Sequence, residues 1–289
     1  MNEPLFTGAC TALVTPFLGE RINYPMLQQL IRRQIQSGVN AIVLAGTTGE
    51  APTLTDQEKI DLFYHGKEFC GNKCLMIAGT GSNCTQHAVD LSIAAEEAGA
   101  DALLVVSPYY NKANADGLIS HYLSIAHAVS IPLILYNVPS RTGVDIPICV
   151  YSRLSHISNI IGVKESTPDI TKITRIINEC GKSFCVWSGN DDMTVPMISI
   201  GAKGVISVTA NVYPEQVAAM CDAALDGDFD TAAHLQQYLQ PIHDCLFADV
   251  NPIPVKATMR QIGYECGNCR LPLSAPSKEL IQKISQSLL

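Results

Sequence analysis

Ala102-Leu103-Leu104-Val105-Val106, running straight into Ser107-Pro108-Tyr109-Tyr110-Asn111, is the stretch on which the fold turns. Its apolar residues are consecutive rather than alternating, as in a parallel strand covered on both faces. Seven further runs share this character: Ala9–Val14, Ala41–Ala45, Leu75–Gly79, Pro132–Tyr136, Ile160–Val163, Phe184–Trp187 and Gly204–Val208. They recur every ~20–34 residues, the length of a strand plus a crossover helix. Eight such units in one chain predict an α/β fold, a (β/α)8 TIM barrel rather than an open doubly wound sheet. No Gly-x-Gly-x-x-Gly follows the first run, so a dinucleotide-binding fold lacks its main support.

The segments between the runs carry helical signals. Leu27, Leu30, Ile31 and Ile35 fall on one helical face, closed by Ser37-Gly38. Thr55-Asp56-Gln57-Glu58 reads as a capping box opening a helix with Ile60, Leu62 and Phe63. Ala88, Leu91, Ala94 and Ala95 form another stripe, ended by Ala98-Gly99. Beyond Val208 the alternation stops, and Pro214–Leu225, Asp230–Leu246 and Ser277–Leu289 read as helices without intervening strands. The expected organisation is a catalytic barrel over residues 1–224 and a C-terminal helical extension over 225–289, with no linker between them.

With 289 residues, 47% of them hydrophobic and 16% charged, the chain has ample material for such a core. Its formal net charge of −8 and lack of a Lys/Arg cluster argue against nucleic acid or an anionic membrane as partner. No apolar run reaches the ~18–20 residues of a membrane span, and Met1-Asn2-Glu3-Pro4 has no signal-peptide character. The odd count of 11 cysteines suits reduced thiols in the cytoplasm. Cys266-x-x-Cys269 has no second pair to complete a zinc site.

In such a barrel the residues at the C-terminal ends of the strands build the site. The second run ends in Gly46-Thr47-Thr48-Gly49-Glu50, either an ordinary strand-to-helix turn or a cradle of backbone N–H groups and hydroxyls for a carboxylate or phosphate. The fourth and fifth end in Tyr109-Tyr110 and Tyr136, phenols suited to packing or to proton transfer. The sixth ends in Gly162-Val163-Lys164-Glu165-Ser166. A lysine finishing an apolar strand needs either a carboxylate partner, such as Glu165, or a use for a desolvated amine as nucleophile towards a carbonyl. Arg141, just past the fifth run, is a surface arginine or a bidentate clamp for a carboxylate. Asp191-Asp192, after the seventh, lack a clear third oxygen ligand for a metal ion. Gly201-Ala202-Lys203-Gly204 precedes its strand and so lies at the wrong end of the barrel to cradle a phosphate. Together these residues suit Schiff-base chemistry on an oxo acid, with no metal and no cofactor, because the iminium is the electron sink.

Five motifs in order, Gly46–Glu50, Ser107–Asn111, Tyr136–Gly143, Gly162–Glu165 and Asn251-Pro252-Ile253-Pro254-Val255-Lys256, resemble those of the dihydrodipicolinate synthase family of pyruvate-dependent Schiff-base lyases, over essentially the whole chain. The resemblance implies condensation of pyruvate with L-aspartate 4-semialdehyde in the diaminopimelate route to lysine. It implies that Lys164 forms the imine, that Thr47 and Thr48 hold the pyruvate carboxylate, and that Thr48, Tyr136 and Tyr110 form a proton relay. In the family the tyrosine matching Tyr110 comes from the neighbouring subunit of a tight dimer, two of which usually make a homotetramer. Arg141 would receive the carboxylate of the aldehyde, while Gly189 and Ile206 would line the pyruvate pocket. Related N-acetylneuraminate lyases and oxo-deoxy-sugar-acid aldolases share the lysine and tyrosine but generally lack the Ser140-Arg141-Thr142-Gly143 clamp, and they are the alternative reading. Lysine-inhibited members bind lysine beside residues matching Asn83 and Tyr109. They usually carry an acid where this chain has His87, and His or Glu where it has Lys59. The expectation is weak or absent lysine feedback.

Overall fold

A computed structural model describes residues 3–288. Met1, Asn2 and Leu289, at the outer ends of the two expected segments, lie outside the described residues. Eight parallel strands close into a barrel: β1 (Gly8–Ala12), β2 (Ala41–Leu44), β3 (Leu75–Gly79), β4 (Ala102–Val106), β5 (Leu133–Asn137), β6 (Ile160–Glu165), β7 (Cys185–Ser188) and β8 (Gly204–Ser207). Each pairs with its neighbours in chain order, and β8 returns to β1 with Gly8 opposite Gly204. The (β/α)8 reading of the sequence is therefore the fold.

The continuous apolar runs have a direct cause. Cys10, Ala41, Val43, Ile77, Leu104, Ile134, Trp187 and Ile206 pack with one another inside the barrel. The residues between them, including Ala9, Ile42, Leu103, Leu135 and Val205, pack outward with the helices. Both faces of each strand are dry, so no polar alternation survives. The Phe6 ring stacks on Trp187 at 4.9 Å between centroids and joins the inner cluster. Gly162 carries no side chain because a Cβ there would stand 2.1 Å from the Cys185 carbonyl oxygen.

One helix opens at the capping box read from the sequence, and another at an asparagine cap. In α1 (Tyr24–Gln36), Asn23 Oδ1 accepts from Met26 N. In α2 (Asp56–Cys70), the Thr55 and Glu58 side chains satisfy each other's backbone N–H groups, at 3.2 and 2.9 Å. Next come α3 (Thr85–Glu97), α4 (Ala115–Ala128), α5 (Ile148–Leu154), α6 (Ile170–Cys180), α7 (Thr194–Ser199) and α8 (Pro214–Leu225). Three helices follow: α9 (Phe229–Leu246), α10 (Ile253–Gln261) and α11 (Lys278–Ser287), the last seated by Leu280 and Ile284. Two features differ from the sequence reading. A small hairpin pairs Phe17–Leu18 with Arg21–Ile22, and α10 was not expected. Its prolines, Pro252 and Pro254, look like breakers. They stand at the helix start, where a missing N–H costs nothing. Among the described residues no helix is long and apolar enough to cross a membrane.

Candidate active site

Register brings the two chemical strand ends side by side. Tyr136 of β5 pairs with Lys164 of β6, and the next pair is Asn137 with Glu165. Successive side chains point to opposite faces, so Tyr136 and Lys164 turn inward while Asn137 and Glu165 turn out. The outward pair is bonded: Asn137 Nδ2 donates to Glu165 Oε1 at 2.8 Å. Glu165 also accepts from Tyr151 Oη at 2.9 Å and from Thr167 N at 2.9 Å, and Lys172 Nζ stands 3.8 Å away. Burial pushes its carboxyl above the ordinary range, against the pull of Lys172 and these donors. Glu165 is thus occupied on the far side of the sheet.

Lys164 is left without it. The side chain is only 4% exposed, and no ion pair within 4.0 Å among the described residues includes it. Its Nζ lies 4.5 Å from the centroid of the Tyr136 ring. Cys10, also inside the barrel, has its thiol pushed up by burial, with the Lys164 charge opposing. Of the two sequence readings for this lysine, pairing with Glu165 is not what the fold does. Gly189 is needed beside it, since a Cβ there would lie 3.1 Å from Lys164 Cε and 2.0 Å from Ser166 Oγ. Ile206 is wholly buried in the inner cluster that contains Tyr136.

Thr47 is half-buried and Thr48 buried, on the loop after β2. Thr48 Oγ1 accepts a 2.9 Å bond from Asn251 Nδ2. The backbone carbonyl of Asn251 in turn accepts from Arg141 Nη2 at 3.3 Å. Glu50 ends the loop in a left-handed conformation, φ 59°. Its carboxylate is buried with Lys256 of α10 at 2.8 Å, and it accepts from Arg270 N at 2.8 Å. Lys256 also donates to the carbonyls of Thr15 and Asn268, both at 3.0 Å. Residues after 225 therefore reach into the mouth of the barrel. The sequence alone gives neither Asn251 nor Lys256 a role. A lysine inside an apolar helical run was the signal for a distant acid.

A crevice of about 610 Å3 joins Thr47, Tyr136 and Arg141 to Asp56, Lys59 and His87. Asp56 was missed from sequence and organises the far end. His87 Nε2 meets its two oxygens at 2.9 and 3.0 Å, and Lys59 Nζ stands 3.5 Å away. The His87 bond holds the Asp56 carboxyl below its usual range. His87 Nδ1 meets Ser82 Oγ at 3.1 Å. Tyr109 lines the same crevice, and Asn83 accepts from Asn111 Nδ2 through its backbone carbonyl at 2.8 Å.

Tyr110 does not join the others within one chain. It is 90% exposed and adopts φ 73°, a left-handed conformation unusual for a residue with a side chain. The Asp191 carboxylate is consumed by Ser207 Oγ and by the N–H groups of Val208 and Thr209. Among the described residues no group of three His, Cys, Asp or Glu side chains is placed to hold a metal ion. Cys266 and Cys269 are both free thiols, each pushed up to about 11 by burial.

Comparison with known proteins follows the same lines. The family model for the dihydrodipicolinate synthetase family matches residues 5–289. The chain is 45% identical over 286 residues to a 4-hydroxy-tetrahydrodipicolinate synthase of Thermoanaerobacter sp. (strain X514), covering 99% of this chain and 96% of the relative. It is 44% identical over 288 residues to that of Acetivibrio thermocellus, covering 100% of this chain and 98% of the relative. The crystal structure of dihydrodipicolinate synthase from Aquifex aeolicus superposes with a TM-score of 0.96 at 43% identity, covering 97% of this chain and 96% of that one.

Proposed function

The chain belongs to the dihydrodipicolinate synthetase family, a lyase that condenses pyruvate with L-aspartate 4-semialdehyde in diaminopimelate and lysine biosynthesis, and we propose that it does so through an imine on Lys164. The observation that carries this assignment is a buried lysine amine in no ion pair among the described residues, set against the ring of Tyr136. The amine adds to the ketone carbon of pyruvate, and loss of water gives the imine. Loss of a proton from the methyl carbon gives the enamine, which attacks the aldehyde carbon and forms the new C–C bond. Tyr136 is the acid and base for these transfers, relayed through Thr48. Thr47 and Thr48 receive the pyruvate carboxylate. The backbone of Gly189 and the side chain of Ile206 bound the pocket.

Tyr110 completes the relay from a second copy of the chain. Its exposure and held backbone conformation suit a side chain presented to a partner's site rather than its own. A tight dimer is then the smallest complete unit, and a pair of such dimers the assembly, in the cytoplasm.

Arg141 receives the carboxylate of the aldehyde substrate, its guanidinium steadied by the Asn251 carbonyl. In Arg141→Ala the KM for L-aspartate 4-semialdehyde rises ~10- to 100-fold, the effect of losing hydrogen bonds to a charged group. Borohydride trapping of pyruvate stays intact. A variant that loses pyruvate trapping yet keeps its affinity for the aldehyde contradicts this role. Wild-type enzyme that prefers a polyhydroxylated aldehyde favours the sugar-acid aldolase reading instead.

The far end of the crevice is poorly made for a lysine ligand. Lys59 repels its ammonium, and the single acid, Asp56, is already shared by His87 and Lys59. Sub-millimolar L-lysine therefore leaves turnover unchanged. Strong inhibition at that concentration refutes the point.

A further inference from the structure

The Asn251 side chain has no part in the chemistry above, yet its Nδ2 donates to the Thr48 hydroxyl, 2.9 Å from Thr48 Oγ1. Both side chains are sealed from solvent, at 5% and 2% exposure, so water does not compete for that oxygen. The direction of the bond has a chemical consequence. An amide NH2 group only donates, so Thr48 Oγ1 is the acceptor and its single proton is left to be given elsewhere. The other end of the amide, Oδ1, is buried with no donor among the described residues. Turning the amide over would let Oδ1 accept from Thr48, but it would capture the proton and leave the NH2 donors in the unpaired place. The orientation in the structure is the one that keeps the proton available.

We propose that Asn251 is a positioning residue that holds Thr48 with its hydroxyl proton turned away from the amide and towards Tyr136, fixing the direction of proton transfer. The inference rests on the roles proposed for Thr48 and Tyr136. Both sides of the bond are anchored. On one side Glu50, two residues past Thr48, is gripped by Lys256 and by Arg270 N. On the other, the Asn251 carbonyl is held by Arg141, and Ile253 N donates to the Val250 carbonyl at 2.8 Å. Asn251 and Lys256 thus belong to one segment that meets the loop after β2 twice, at Thr48 and at Glu50.

The test is Asn251→Asp, nearly identical in shape and opposite in hydrogen-bond polarity. An ionised carboxylate only accepts, so it draws the Thr48 proton to itself. Once protonated, it can donate again. The expected result is a kcat ~100-fold below wild type at pH 8, within the range for a lost proton-transfer contribution. The ratio of variant to wild-type kcat climbs as the pH is lowered towards 5, and the pyruvate adduct on Lys164 still forms. A merely structural role gives no such pH-dependent ratio. An Asp variant with wild-type kcat, or with a loss that is the same at every pH, overturns the inference. Asn251→Leu, similar in volume and without polar atoms, supports it if kcat falls while KM for both substrates stays within ~2-fold, and overturns it if kcat is unchanged. Thr48→Val separates the levels. Full activity in that variant removes the relay on which the inference rests, whereas an inactive Thr48→Val beside a fully active Asn251→Asp removes only the inference.

Discussion

Lys164→Ala is expected to lower kcat by on the order of 10³-fold or more, because the nucleophile and its proton-transfer partners act as one unit. The same substitution should leave the melting temperature unchanged or raise it. In the wild-type barrel a 4% exposed amine sits without a carboxylate partner among the described residues, and a buried polar group of that kind costs free energy rather than contributing it. Removing it trades function for stability. Steady-state kinetics with thermal unfolding of the same preparation reads both quantities. A variant that loses activity together with several degrees of stability would mean that Lys164 has a structural partner, and the account of the site would have to change.

The second buried lysine should behave in the opposite way. Lys256 is 1% exposed in its side chain and its partner Glu50 wholly buried, 2.8 Å apart. Lys256→Met leaves the carboxylate uncompensated, a loss of about 3–5 kcal/mol. For a chain of this size that lowers the melting temperature by roughly 10 °C. Activity falls as well, because Glu50 ends the loop that carries Thr47 and Thr48. Adding Glu50→Gln to Lys256→Met should recover much of the stability, since a neutral pair has less to lose from burial. A single variant that melts within ~2 °C of wild type contradicts the role of the pair. The contrast between the two lysines follows from their partners alone: one is held by an acid and two carbonyls, while the other, among the described residues, is in no ion pair and lies against an aromatic ring.

These two residues also show what could be read from the sequence and what could not. The barrel was legible because each strand is dry on both faces, which leaves an uninterrupted apolar run such as Leu103-Leu104-Val105. Lys164 and Tyr136 were legible because a polar residue ending such a run has few structural excuses. The expectation that Tyr110 acts in the site depends on a second chain, which no local pattern encodes. Asn251 and Lys256 were illegible in a different sense. Their partners Thr48 and Glu50 lie 203 and 206 positions away, and only the closed fold brings them together. Helix α10 escaped because Pro252 and Pro254 imitate a break, although both fall at its start. Asp56 was read as part of a capping box, and its second role at the crevice became visible only beside His87.

Borohydride reduction of the folded wild-type enzyme in the presence of pyruvate, followed by intact mass and peptide mapping, tests the central claim most directly. The account predicts one reduced pyruvate adduct per chain, on Lys164, formed without the aldehyde substrate. An adduct on another lysine, or none on folded protein, contradicts it.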